Sequence, residues 1–140
     1  MTEDDLQRLL AATLPAIDQH GVIVEEAQDQ DVRLRFPFTP SLVGPGDIFS
    51  GPALLGFADT AMFAAILAAT GGQSLGIVAS MNATFLRPMA ASDAIAIARV
   101  IRKGKRTAHA EAWLFDHAPI EAVLHATATC TLRPRAFSSS

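Results

Sequence analysis

The sequence predicts an α+β fold in which a curved, mostly antiparallel sheet wraps one long central helix. Three observations lead there. Residues 50–70, SGPALLGFADTAMFAAILAAT, are apolar apart from Asp59, and a run of about twenty residues is too long for an ordinary strand. Six other stretches read as strands, several with the two-residue alternation of half-buried sheet. No βαβ alternation runs through the chain, so a doubly wound parallel sheet is excluded.

The central run is rich in Ala, Leu and Met, which lose little side-chain freedom in a helix. Ser50 suits the N-cap, Pro52 the first turn, and Gly71-Gly72 a C-terminal stop. An apolar surface on every side predicts burial on most sides. A membrane span is the rival reading; its length is marginal, Asp59 and Gly56 interrupt it, and no basic flank adjoins it.

The remaining elements follow in order. Residues 1–19 predict an N-terminal helix with a stripe of Leu6, Leu9, Leu10, Thr13, Leu14 and Ile17, broken near Pro15. Residues 22–27 and 31–38 predict a hairpin across residues 28–30, with Val32, Leu34, Phe36 and Phe38 on the apolar face. Residues 39–49 hold two Pro and two Gly and lead as a loop into the central helix. Strands are predicted over 75–86, 93–102, 105–115 and 120–132. In the first of these Ile77, Ala79, Met81, Ala83 and Phe85 share a face. The next hairpins present alanine-rich faces, which let a helix lie close against a sheet. One domain over 1–140 with a loose tail at 134–140 completes the expectation.

Composition narrows the function classes. Half the residues are hydrophobic, 18% are charged and the net charge is −3, which excludes general disorder and a basic field for nucleic acid. The single cysteine, Cys130, excludes an internal disulfide. The acidic, amphipathic start is unlike a signal peptide, so the expected compartment is the cytoplasm. The four histidines have no metal-ligand spacing, and no metal is expected.

Asp59 is the sharpest chemical feature. A carboxylate within an apolar helix either satisfies itself on a hydroxyl, a backbone group or an arginine such as Arg87, or faces a polar cavity as a site residue. The helix mouth at Ser50-Gly51 offers free N–H groups and the positive dipole end, while Pro52 adds no donor. Asp59 lies ~12 Å along the axis from Gly51. One helix therefore cannot bring its own two features to one carbonyl, but two antiparallel helices from two copies can, which suggests a two-fold dimer with sites at the interface.

The residues also carry a resemblance. GFADTAMFAA resembles the LADxAxxxA segment of the PaaI-like acyl-CoA thioesterases of the hotdog fold. MNATFLRPMAASD is similar to their F-x-R-P-a-x-x-G-D strand end, and RVIRKGKRTAHAEAWLFD to their K-x-G-[KR] hairpin, so the resemblance covers roughly residues 30–133. It implies a hotdog fold, a homodimer that often pairs into a homotetramer, and hydrolysis of an acyl-CoA or aryl-CoA thioester. It further implies that Asp59 acts as base or nucleophile and that Gly51 of the other subunit polarises the thioester carbonyl. One departure stands out: the family's His-Gly-Gly at the helix mouth is Ser50-Gly51-Pro52 here, and its upstream Asn falls near Gly44.

The candidate site is therefore Asp59 and Gly51 for catalysis, with Ser50, Asn82, Phe49, Phe63, Arg87, Lys103, Lys105 and Arg106 for substrate. Leu42, Val43, Ile48 and Met62 join Phe49 and Phe63 as candidate acyl-pocket walls. Five of the 11 basic residues fall within residues 99–106, where they suit coenzyme A phosphates or simply a solvated hairpin. No cofactor is expected beyond coenzyme A as part of the substrate, and no nucleic acid or membrane partner. Two alternatives stay open: a non-catalytic acyl-CoA binder, and an enoyl-CoA hydratase faintly suggested by Gly46-Asp47.

Overall fold

In the computed structural model, which describes residues 1–14, 21–27, 31–117 and 120–135, the elements run α1 (Glu3–Thr13), β1 (Ile23–Ala27), β2 (Asp31–Phe36), α2 (Gly51–Ala69), β3 (Ser74–Phe85), β4 (Ala94–Lys103), β5 (Thr107–Phe115) and β6 (Ala122–Pro134). The strands form one six-stranded antiparallel sheet in the order β1-β2-β4-β5-β6-β3. This is the α+β hotdog architecture that the sequence predicts.

Helix α2 begins and ends where its chemistry says it must. The Ser50 hydroxyl caps it, accepting from the Ala53 N–H at 3.4 Å. At the other end the Gly72 N–H bonds the Leu67 carbonyl at 2.8 Å, with Gly71 and Gly72 both at positive φ, closing the last turn as a Schellman motif. The sheet meets α2 with alanines: Ala94, Ala96, Ala98, Ala108, Ala110, Ala112 and Ala126 are all fully buried. Facing them are Ala58, Ala61, Ala64, Met62 and Ile66, buried as completely. Length and composition alone would let α2 cross a membrane, but here it is the core helix against β2 to β6.

Burial of α2 leaves one stripe open, in keeping with the burial on most sides that its composition predicts. Pro52, Leu55, Gly56 and Asp59 are exposed, and their spacing places them on one stripe. The reason is geometric: the sheet covers one side of the helix, and among the described elements only α1 touches it elsewhere, with Leu14 beside Asp59.

Helix α1 is an integral part of the core. Leu6 and Leu10 are fully buried. Between them, Gln7 donates from its amide nitrogen to the Val22 carbonyl at 3.0 Å and accepts from the Val24 N–H at 2.7 Å. The amide thereby stands in for a neighbouring strand along β1, an edge of the sheet. The predicted continuation through Ile17 and the turn at 28–30 lie outside the described residues.

Two further expectations are corrected. A bulge between Val78 and Ser80 shifts the register of β3 against β6, so Val78 pairs with inward-facing Cys130 while Ser80 pairs with outward Thr129. Ile77 consequently leaves the face of Met81, Ala83 and Phe85 that the alternation assigned to it. The tail also starts later than residue 134: Pro134 ends β6, and Arg135 donates through its N–H to the Gln73 carbonyl at 2.8 Å and through Nε to the Gly72 carbonyl at 2.7 Å. Residues 136–140 lie outside the described residues.

Gln7→Ala leaves a half-buried N–H and carbonyl of the β1 segment without partners and should cost ~1–3 kcal/mol of unfolding free energy. Leu10→Ala, which opens a cavity, should cost ~2–5 kcal/mol. Urea titration followed by circular dichroism measures both; values near zero would show that α1 is not docked in solution.

Candidate active site

Asp59 projects from the open stripe of α2 into a cleft of about 220 Å³. The other walls are Thr60 and Phe63 of α2, Gly76, Ile77 and Val78 of β3, and Leu14 at the end of α1. The carboxylate makes no hydrogen bond or ion pair to any described residue, so the self-satisfied reading, including a pairing with Arg87, does not hold. Solvent reaches it, yet apolar walls strip part of its hydration, and this desolvation raises its pKa above the ordinary aspartate value. Behind it lies Cys130, whose thiol pKa is raised first by burial and then by the Asp59 charge.

The helix mouth is built by the preceding loop, which holds two short 3-10 turns, Pro40–Leu42 and Pro45–Asp47. Three backbone bonds hold it: Ser50 N–H to the Leu42 carbonyl at 2.7 Å, Gly44 N–H to Ile48 at 2.7 Å, and Phe49 N–H to Met89 at 2.9 Å. Gly44 is needed for close approach, since a Cβ there would come within 3.2 Å of Ser50 Cα. The result leaves the Gly51 N–H without a partner among the described residues. A Cβ at Gly51 would stand 3.7 Å from the ring of Phe85, which is 48% exposed.

The other predicted site residues separate into groups. Phe63 lines the Asp59 cleft. Phe49 is buried in an aromatic cluster, 5.8 Å from Phe36 and 6.2 Å from Phe38 between ring centres. Met62 is likewise sealed in the core, while Val43 and Ile48 remain exposed near the mouth. Asn82 stands on the sheet face away from α2, because its β6 partner Thr127 faces outward between buried Ala126 and Ala128. There it joins Ser80, His109 and Thr129 around a separate hollow of about 130 Å³.

Arg87 is already engaged, donating to Asp116 at 3.3 Å and to the Glu121 carbonyl at 2.9 Å. Lys103, Lys105 and Arg106 are exposed and unpaired among the described residues. Within one chain they stand far from the mouth: β4 starts beside the loop that carries Phe49, and its nine steps to Lys103 span ~30 Å. The sequence reading missed Leu14, Val78 and Phe85 as site-lining groups. Each carried a signal, the α1 stripe for the first and strand alternation for the others, but neither pattern says which elements meet.

A long helix laid across a six-stranded antiparallel sheet defines a hotdog-fold protein, here with an acidic side chain on the open stripe of the helix. The sequence profile described as Thioesterase superfamily matches residues 46–122, and the chain belongs to that superfamily. A protein of Halobacterium salinarum provisionally named an esterase is 34% identical over 123 residues, covering 79% of this chain and 80% of its own length. Among solved structures, a thioesterase of Haemophilus influenzae superposes with a TM-score of 0.83 at 15% identity, over 100% of this chain and 96% of that one. Zebrafish thioesterase superfamily member 2 does so at 0.81 and 20% identity, over 95% and 99%. At such identities the structural likeness speaks for the fold.

The raised pKa of Asp59 has a stability consequence. The folded chain holds the Asp59 proton more tightly than the unfolded chain, whose aspartate titrates near ~3.9. Stability from this group is thus full below that pH and declines as pH rises through the folded value. Asp59→Asn should melt at a higher temperature than wild type at pH 7, with the gap closing by about pH 3.5. Thermal melts across that range decide it; a gap independent of pH would remove the desolvation account.

Proposed function

We propose that this protein hydrolyses acyl-CoA thioesters, as a PaaI-like thioesterase, in a site completed by a second copy of the chain. The observation that carries the proposal is the unequal treatment of the two sheet edges. The β1 edge is blunted by Gln7, whereas β3 presents a 12-residue edge with no partner on its outer side among the described residues. Beside that edge lies the open stripe Leu55, Gly56 and Asp59. Antiparallel pairing of β3 with its copy gives the edge its missing partners. It also lays the two α2 helices side by side in opposite directions, which brings Asp59 of one copy toward the Gly51 mouth of the other.

In that arrangement the thioester carbonyl sits between them. Asp59, ionised, takes a proton from water as the water oxygen bonds to the carbonyl carbon; attack by the carboxylate itself is the other route. The Gly51 N–H donates to the developing oxyanion, a contribution of ~3 kcal/mol in comparable sites. The C–S bond then breaks, and the coenzyme A thiolate leaves and collects the proton. Ser50 is suited to orient the substrate through its hydroxyl proton, since its oxygen caps the helix. Two-fold pairing also brings the partner's β4–β5 hairpin to the end of the sheet where the mouth lies, so that Lys103, Lys105 and Arg106 meet the phosphates of coenzyme A from across the interface.

Sedimentation should give a homodimer or a dimer of dimers, and a monomer under assay conditions would rule out this site. On a panel of acyl-CoA thioesters, Asp59→Asn should lower kcat/KM by ~10²–10⁴. In wild type, kcat/KM should rise with pH through an apparent value above the ordinary aspartate range, because only the ionised carboxylate serves. Binding without turnover in both proteins would make it an acyl-CoA binder instead, and hydration of an enoyl-CoA would make it a hydratase.

A further inference from the structure

We infer that the Asp59 cleft receives an acyl or aryl group of about six to nine carbon atoms and that Leu14, at the end of α1, sets this limit. The inference rests on the thioesterase reading for the identity of the ligand, and its size limit is read from the walls that one copy supplies.

The polar groups of the cleft, Asp59 and Thr60, are adjacent on α2, while Leu14, Phe63 and Val78 form apolar walls. A ligand whose reacting carbonyl meets Asp59 therefore turns its hydrocarbon toward those walls. The volume of about 220 Å³ is roughly half as large again as a 150 Å³ apolar cavity that accepts benzene. By that scale it holds about nine carbons and excludes a long fatty chain.

The walls have little room to retreat. Gly76 packs directly on the core: a Cβ there would overlap the Ile66 side chain and approach Cys130, and both of those residues are buried. The cleft cannot deepen beneath β3. Leu14, another wall of the cleft, lies one turn beyond buried Leu10, and its N–H bonds the Leu10 carbonyl at 2.7 Å. Helix α1 is itself clamped by Gln7. The Leu14 wall is therefore a docked part of the fold, and in the proposal its side chain is the adjustable length stop.

The test measures binding of non-hydrolysable S-alkyl-CoA thioethers, with alkyl chains from two to sixteen carbons, by calorimetry, alongside turnover of the matching thioesters. Affinity in wild type should tighten about fourfold per methylene up to about six to nine carbons and then stop rising. Leu14→Ala removes three carbons and should move that break about three carbons longer, while Leu14→Phe should move it shorter. Affinity that climbs unbroken through fourteen carbons in wild type overturns the limit even if a variant fails to fold. A break that neither variant moves overturns the role of Leu14. Size-selective binding without turnover supports the cleft assignment and removes the hydrolase reading; turnover with a length profile unchanged in both variants does the reverse. Neither binding nor turnover removes both.

Discussion

The close seating of α2 on an alanine face is the constraint on which the rest of the structure depends. Three central strands offer small side chains inward, from Ala94, Ala96 and Ala98 of β4 through Ala108, Ala110 and Ala112 of β5 to Ala126 of β6, and the helix returns Ala58, Ala61 and Ala64. Small groups on both sides permit near approach of backbone to backbone, and dispersion across that contact replaces the water each surface gives up. Because the contact is tight, the helix is held in one rotation, and that rotation turns Asp59 out beside the β3 edge.

The second organising fact is asymmetry. The same sheet ends on one side in a strand whose backbone is answered by a glutamine from α1, and on the other in a long strand answered by nothing among the described residues of its own chain. An unpaired edge beside an apolar helix stripe is a liability for a lone molecule. It is also the geometry that a two-fold partner relieves. The carboxylate and the free Gly51 N–H sit on one rod ~12 Å apart, so structural need and chemical need point to the same surface.

Local chemistry made much of this legible in the chain. The Ser50 cap, the Gly71-Gly72 stop and the alternating faces of β2, β5 and β6 all stand as the residues predict, since capping, positive φ and two-residue periodicity are decided within a few residues. The reading failed where a nonlocal partner intervened. Ile77 leaves its expected face because a bulge opposite β6 inserts an extra residue. Phe49 and Met62 read as pocket walls because an apolar side chain beside a site looks the same in sequence as one beneath it. Arg87 read as free for a phosphate until Asp116, 29 positions later, came to meet it.

What the sequence determined by itself was the inventory: one apolar helix bearing one acid, a glycine at its mouth, and alanine-faced strands enough to cover it. Which side of that helix stays open, that α1 reaches round to place Leu14 beside Asp59, and that Asn82 lies behind the sheet were decided only by tertiary packing. The physical reason is that periodicity records which residues share a face, whereas the identity of the surface opposite that face depends on strand order and register, and these emerge only when distant segments compete for the same edge.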